Sequence, residues 1–503
     1  MRAVLDRLQT AHKNGSIIRE LLRQKGHSKK KIVIDFSSPN IAKPFHVGNL
    51  RSTIIGQYVD YLLRSAGHEV TSINYLGDWG SQIGLMVRGF RKFVDDSAWN
   101  DADASKRLKL LRDTYVRSAT LAQTDERYAR ESREVFARME AQKSDEHWPI
   151  WQQASEISRQ HLNHFYAMLN VRFDRWDCES AHVTAAKEMV DQLIERRIAE
   201  RRDDGLCVVH SVVNSVDTNA SASSSELYAL LRKADNSTLY LTRELAAIFD
   251  RRRRYDADEY LYVVENGQRL HFEQLKLVLR RMGEGELAEK VEHVNFGHVM
   301  GMSTRAGRVE LVDDLLDAGV RLANDVILHS HSVKVAKEED VQSVAFQLAL
   351  SAIIANDLKR RRASDYEFSF ERAFNFKDDS GPMIQMKHAR LCGIERRNRE
   401  EFGDFEISWV DYPLEESDVG KELMKRLSLF EATLEESLSQ LQPCVLVVYA
   451  FQLARLSASA LKPLRVIGQP KEIAVPRLFI LSLTRKVLAE CLIALGLTPL
   501  EEM

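Results

Sequence analysis

The stretch KIVIDFSSPNIAKPFHVGNLRSTIIGQYVDYLLRSAGHEVTSINY, residues 31–75, decides the fold. Lys31 to Phe36 is a short run rich in β-branched residues and reads as a buried strand. Ser37 to Pro44 is loop chemistry, His46 to Ala66 carries a long helical period, and Val70 to Tyr75 is a second strand. Strand, loop, helix and strand in this order predict a right-handed βαβ unit of a parallel sheet, the usual opening of a nucleotide-binding α/β domain. Ligands of such a domain sit at the carboxyl ends of its strands. Ser37 to Lys43 and Gly77 to Ser81 fall there.

Within this unit, His46, Gly48 and Asn49 occupy the first turn of the helix, with Lys43 just upstream. Unpaired backbone N–H groups and the positive helix end attract phosphate, and glycine lets it come close to the backbone. His46 and Lys43 add donors for a phosphate in transit. Alone, a four-residue HxGN is more often a helix start with an incidental histidine.

Outward from this unit, strands are expected at Thr238 to Leu241, Glu259 to Val264 and Val294 to Val299, closing the nucleotide fold near residue 300. The polar-helical and mixed region between, about 100–235, reads as an insertion, with a flexible loop over Asn214 to Ser225. From Glu371 the helical period dominates, which predicts an all-α domain. The expected organisation is an N-terminal basic extension over 1–30, an α/β catalytic domain over 31–370 and a helical domain over 371–503.

The whole-chain numbers agree with a multidomain globular protein. Its 503 residues hold Lys+Arg 71 against Asp+Glu 73, a net of −2, which excludes a uniformly basic nucleic-acid coat. Five scattered cysteines without a CxxC pair argue against a disulfide framework or structural zinc, and no metal site is expected. The apolar stretch Val445 to Ala460 is interrupted by Gln452 and Arg455, and no membrane span is expected. The basic, amphipathic first 31 residues fit a mitochondrial presequence, a surface helix of the folded protein or a helix touching RNA phosphates.

Taken together, SSPNIAKPFHVGNLRST with Asn74-Tyr75-Leu76-Gly77-Asp78-Trp79-Gly80-Ser81-Gln82 resembles the HIGH-motif region of class I aminoacyl-tRNA synthetases, specifically the arginyl-tRNA synthetases. The resemblance runs from about Lys31 to Met503. It implies a Rossmann-like nucleotide-binding domain with a helical insertion, followed by an all-α anticodon-binding bundle. The segments Tyr240-Leu241-Thr242-Arg243-Glu244 and Tyr262 to Gln268 with His271 are similar to that family's YxTRDxA and YVxxxxQxxH. By resemblance, Tyr240, Glu244 and Gln268 line an arginine pocket, Ser38, Pro39, Asn40 and Asn49 hold the rest of the amino acid, and His46, Gly48, Asn49, His271 and Met302 meet ATP. A guanidinium, with its planar fork of donors, suits a carboxylate flanked by neutral acceptors.

Gly301-Met302-Ser303-Thr304-Arg305-Ala306-Gly307 is similar to the family's GMSTRxG form of the KMSKS loop, which closes over departing pyrophosphate. The loop's second lysine is absent, so Lys43 or Arg305 supplies the charge. Lys43, His46, Gly48, Asn49, Met302, Ser303, Thr304 and Arg305 are therefore the expected catalytic set. His388-Ala389-Arg390-Leu391 and the closing helix resemble a DALR anticodon-binding bundle. The runs Arg251 to Arg254 and Lys359 to Arg362 read more readily as solvated faces than as RNA contacts. The implied activity is ATP- and Mg²⁺-dependent ligation of arginine to tRNA(Arg) by a monomer, with no tightly bound cofactor. A catalytically impaired tRNA-binding or regulatory paralogue is the alternative.

Three departures stand out: Asn49 where the family has histidine, Glu244 where it has aspartate, and Gly381-Pro382-Met383-Ile384-Gln385-Met386-Lys387 where it has GPYLQYAH. The family's N-terminal domain of roughly one hundred residues is replaced by Met1 to Lys30. This leads to the expectation of a lost tRNA-elbow contact and a mitochondrial-matrix location, with the cytoplasm as the alternative.

Overall fold

The computed structural model describes residues 2–41, 43, 45–141, 146–210, 228–300, 303–304, 307–308, 312–329, 340–375, 379–403 and 417–503. Its centre is a five-stranded, all-parallel sheet. Strands β1 (Lys31–Asp35) and β2 (Glu69–Leu76) are joined across helix α3 (Val47–Ser65), with Lys31 opposite Glu69 and Asp35 opposite Ile73. The expected βαβ unit is thus present. Strand β3 (Arg175–Cys178) extends the sheet beyond β2, and the strands Glu259–Tyr262 and Val291–His293 extend it beyond β1.

Helix α3 lies tight on the sheet because residue 56 is glycine: a Cβ there would stand 2.2 Å from Phe36 Cγ. Ile54, Ile55, Tyr58, Val59 and Leu62 of α3 are all buried, the helix being covered by the strands on one face and by α2 and the C-terminal helices on the other.

Three sequence expectations are corrected here. Residues 238–241 form no strand: Tyr240 opens the Tyr240–Tyr255 helix, whose apolar face (Leu241, Leu245, Ile248) packs under the sheet. A four-residue apolar run looks alike in either state, and here the helical partners decide. Residues 294–299 form no continuous strand: Phe296 makes a single parallel bridge to Glu265 past the edge of the central sheet, and Val299–Met300 pairs in parallel with Tyr366–Glu367. The region around 100–235 is also less separate than expected. It holds the Ala104–Thr124, Glu126–Ala141 and Trp148–Met168 helices and a three-stranded antiparallel sheet, but β3 within it belongs to the central sheet. The Asn214 to Ser225 segment lies outside the described residues.

Helices Gly381–Phe402, Asp418–Ser428, Phe430–Gln440, Pro443–Ala460 and Lys471–Ala494 build the C-terminal bundle. Two helices, Val341–Leu358 and Pro443–Ala460, are long and apolar enough to cross a bilayer, and 72% and 56% of them are buried within the protein.

The first residues fold into this bundle. In α1 (Arg2–Lys13) and α2 (Ile17–Gln24), Leu5, Leu8, Ile17, Ile18, Leu21 and Leu22 are all buried. The Ser16 hydroxyl and the Ile17 amide donate to Glu490 at 2.7 and 3.0 Å, which caps α2, and Arg7 pairs with Glu431 at 3.0 Å. The basic amphipathy of this stretch is therefore that of two packed helices with their charged faces outward.

Replacing Leu21 by alanine should lower unfolding free energy by about 2–4 kcal/mol, since the side chain is fully buried between α3 and the bundle. Urea denaturation checks this; an unchanged midpoint would mean that α2 contributes nothing to the fold.

Candidate functional site

Three loops leave the carboxyl ends of β1, β2 and the Glu259–Tyr262 strand side by side, and the positive end of α3 opens among them. The first and second loops are tied together: Asn40 bridges Gly77, the Gly77 amide donates to Pro39 O at 3.0 Å, and the Ile41 amide donates to Gly77 O at 3.2 Å. Glycine at 77 leaves room for the Asn40 side chain, whose amide oxygen would stand 2.1 Å from a Cβ there. Ser37 and Ser38 both take positive φ, 69° and 41°, and hydrogen bonds hold them in this costly conformation. The Ser37 amide donates to Ser52 Oγ at 2.9 Å, Thr53 Oγ1 donates to Ser37 Oγ at 2.7 Å, and Ser38 Oγ donates to Asp35 Oδ1 at 2.6 Å.

At the tip of α3, His46 is the N-cap. Its Nδ1 accepts from the Gly48 amide at 3.1 Å, while the Asn49 side-chain oxygen accepts from the His46 amide at 3.3 Å. Asn49 thus completes a reciprocal capping box. With its oxygen engaged, its NH₂ is the group left to donate. Lys43 is half-buried, 5.6 Å from the Tyr115 ring centroid, and burial lowers its pKa against the pull of Glu179.

The opposite wall is the Tyr240–Tyr255 helix. Tyr240, at its first turn, is 44% exposed and rests on the His271 ring at 4.9 Å between centroids. Burial, with a lesser push from His293, lowers the His271 pKa to about 4, so this imidazole is neutral near pH 7. Gln268 is exposed, in a short 3₁₀ turn after the Glu259–Tyr262 strand.

Glu244 departs from the expectation. Its side chain is fully buried rather than open to a ligand, and it already accepts from Arg251 Nη1 at 3.3 Å. Nor does the structure unite Glu244 with Gln268 in one grip, for one is sealed and the other faces solvent. The second correction concerns Arg251 itself: instead of a solvated face, it is 1% exposed and its Nη2 donates to Asp35 at 2.7 Å. Only Arg252, Arg253 and Arg254 of that run face outward, paired with Glu284 and Asp250. Asp35 and Glu179 were not singled out from sequence, and Arg251 and Arg243, the latter paired with Glu179 at 2.7 Å, were not read as buried charges, which sequence does not mark.

Met302 and Arg305 lie outside the described residues. Ser303–Thr304 pairs with Gly307–Arg308 as a short antiparallel ladder. This segment follows Val299–Met300, which Arg51 of α3 holds in place. Arg51 donates to the carbonyls of Gly297 (2.5 Å), Ser364 (3.1 Å) and Arg362 (3.2 Å), and lies 3.3 Å from Asp357. Among the described residues no group of three or more His, Cys, Asp or Glu side chains is placed to hold a metal ion.

In the C-terminal bundle a cavity of about 730 Å³ opens between the Gly381–Phe402 helix and the turn after Pro443–Ala460. Lys387, Arg390, Arg397 and Arg465 line it beside Met386 and Met503. The end of the chain is fastened there by Gln385, which holds Thr498 and Leu500, and by His388 Nδ1–H donating to Leu500 O at 2.8 Å. Cations around an apolar floor suit an unstacked base and its phosphates.

Comparisons with known proteins agree with this arrangement. The family described as "tRNA synthetases class I (R), catalytic domain" matches residues 15–370, and the "DALR anticodon binding domain" matches 384–503. The chain is 36% identical over 484 residues to the probable mitochondrial arginine–tRNA ligase of Bos taurus, covering 95% of this chain and 79% of the relative. It is 35% identical to the cytoplasmic arginine–tRNA ligase of Saccharomyces cerevisiae, covering 94% and 77%. The fold is similar to arginyl-tRNA synthetase from Plasmodium falciparum, with a TM-score of 0.72 at 22% identity over 97% of this chain and 82% of that one.

The site's acid–base balance gives a test. Burial raises the Asp35 pKa to about 6 against the pull of Arg251. Asp35 is therefore ionised above that pH and loses its charge as pH falls through it. The KM for arginine should rise as pH drops below about 6 and stay flat above it. Asp35→Asn should flatten the profile, whereas an identical profile in that variant would contradict the assignment.

Proposed function

The chain belongs to the arginyl-tRNA synthetases, and from that premise we propose which of its residues do the work of an arginine–tRNA ligase. The overall reaction uses ATP to activate arginine and passes the arginyl group to tRNA. One observation supports the site assignment above others: the open end of α3 and the buried acidic pair Asp35–Glu244 meet at the carboxyl end of β1.

ATP enters with Mg²⁺ as the MgATP substrate. Backbone amides at the tip of α3, His46 and the Asn49 NH₂ face its phosphates, with Lys43 and the 301–308 loop completing the charge, Met302 and His271 at the nucleotide and Arg305 supplying the loop's cation. Ser38, Pro39 and Asn40 orient the amino end of arginine, while Tyr240 and Gln268 face its guanidinium and Glu244, buried on Arg251, adds its negative charge from behind them. The substrate carboxylate attacks the α-phosphorus, the bond to the β-phosphate breaks, and pyrophosphate leaves. A terminal ribose hydroxyl of the tRNA then attacks the acyl carbon and AMP departs, with no enzyme-bound covalent intermediate. The enzyme contributes positioning and charge stabilisation.

The basic cavity of the bundle is the proposed anticodon contact, with Met386 standing where the family has an aromatic and Met503 adding a second soft apolar side chain. We place the enzyme in the mitochondrial matrix, in line with the mitochondrial relatives it resembles, over the cytoplasm of its other relatives. It acts as a monomer away from membranes, consistent with exposed large apolar side chains that are scattered singly, such as Val116, Leu270 and Leu328.

ATP–pyrophosphate exchange with tRNA present should depend on arginine and not on lysine; exchange that is absent, or equal with both, would overturn the assignment. Arg390→Ala with Lys387→Ala should raise the KM for tRNA several-fold at low salt, by less at higher salt because fewer counterions are released, and leave those for arginine and ATP unchanged. Filter binding of tRNA across a salt series checks it, and unaltered affinity would remove the cavity from the tRNA path.

A further inference from the structure

The guanidinium of Arg251 lies where a substrate guanidinium is expected to be read. It arises seven residues after Glu244 on one face of the same helix, and its fork reaches two carboxylates on different elements: Nη1 to Glu244 at 3.3 Å and Nη2 to Asp35 at 2.7 Å. The rings of Tyr75 and Tyr262 flank it, with centroids 5.0 and 5.2 Å away. Asp35 does not end the chain of contacts. Its other oxygen accepts from Ser38 Oγ at 2.6 Å, and Ser38 Oγ in turn accepts from the Tyr75 amide at 3.0 Å.

An unbroken path, Ser38–Asp35–Arg251–Glu244, therefore joins the residue assigned to the amino end of the amino acid to the one assigned to its guanidinium. The path is buried from Asp35 to Glu244, so water does not soften it. Two carboxylates share one cation, so with both ionised the group carries one net negative charge for an incoming cation. The neighbouring Glu179–Arg243 pair is balanced and adds no net charge.

We propose that Arg251 is a positioning residue for amino-acid selection: by bridging Asp35 and Glu244 it sets the distance between the Ser38 and Glu244 ends of the pocket, and so the length of side chain accepted. This deepens the pocket assignment of Glu244 and rests on it. The bridge needs a fork. A lysine ammonium keeps the charge but, as a point donor on a flexible stem, does not fix two carboxylates on separate elements. The same fork accounts for the glutamate at 244 in place of the family's aspartate, because the longer side chain meets Arg251.

The test is steady-state aminoacylation by Arg251→Lys, Asp35→Asn and Glu244→Gln, with KM and kcat for arginine, KM for ATP, and relative kcat/KM for homoarginine, one methylene longer. Arg251→Lys should raise the arginine KM about tenfold or more, leave the ATP KM within about twofold, and narrow the preference for arginine over homoarginine. Asp35→Asn, which keeps side-chain shape, should narrow that preference in the same direction, and it serves where the lysine variant folds poorly. A variant that only loses stability or kcat, with arginine KM and the homoarginine ratio unmoved, overturns the proposal. If Glu244→Gln impairs arginine binding while both other variants do not, the pocket assignment stands and this inference fails. If Glu244→Gln itself leaves arginine KM unchanged, the pocket assignment fails and takes the inference with it.

Discussion

Arg51 fixes helix α3 to the segments around Gly297, Arg362 and Ser364. Its side chain, 1% exposed, leaves α3 just after the first turn and enters a nest of three carbonyls and the Asp357 carboxylate, beside the Tyr366 ring. Burying a charge this way is costly unless nearly every donor is engaged, and breaking such a cluster on one side strands the partner. Because His46 caps α3 and the carbonyls belong to segments beside the Val299–Met300 and Tyr366–Glu367 strands, the cluster sets where the helix tip stands relative to that strand pair. Gly297 makes the contact possible, since a Cβ there would stand 2.2 Å from the Ser364 carbonyl carbon.

Both charged clusters, at Arg51 and at Arg251, use arginine for the same physical reason. A planar fork binds groups on separate elements at once and is less strongly hydrated than an ammonium. The first cluster anchors the flank of α3, the second ties the end of β1 to the Tyr240–Tyr255 helix. Helix α3 also carries the connection further, since its flank packs on α2 and the C-terminal bundle, with the Tyr58 hydroxyl 2.6 Å from Ser437 Oγ. The C-terminal bundle and the loops at the end of β1 are thus both anchored on one helix.

Much of this was legible in the sequence. The β-branched run at Lys31, the loop, the long helix and the second strand form one local unit whose period and turn chemistry agree, and it folds as read. His46, Gly48 and Asn49 come together because they are neighbours in one turn. What was not legible depends on distant partners. Tyr240 to Glu244 look like a strand end until Leu245 and Ile248 find the sheet. Arg251 looks like its solvated neighbours until Asp35 and Glu244 are folded beside it. The basic N-terminal helices resemble a detachable leader until Leu5, Leu8 and Leu21 meet the bundle. Periodicity reports which face is apolar, not what covers it.

The departures at positions 49 and 244 both have partners in the fold, Asn49 in the cap of α3 and Glu244 on Arg251. The most direct test of the whole account is charging of tRNA(Arg) with radiolabelled arginine by the unaltered chain. The account predicts acid-precipitable arginyl-tRNA that requires ATP and does not form with lysine. Tight binding of the tRNA with no charging by arginine would contradict it, and would mark the chain as a tRNA-binding relative that has lost its chemistry.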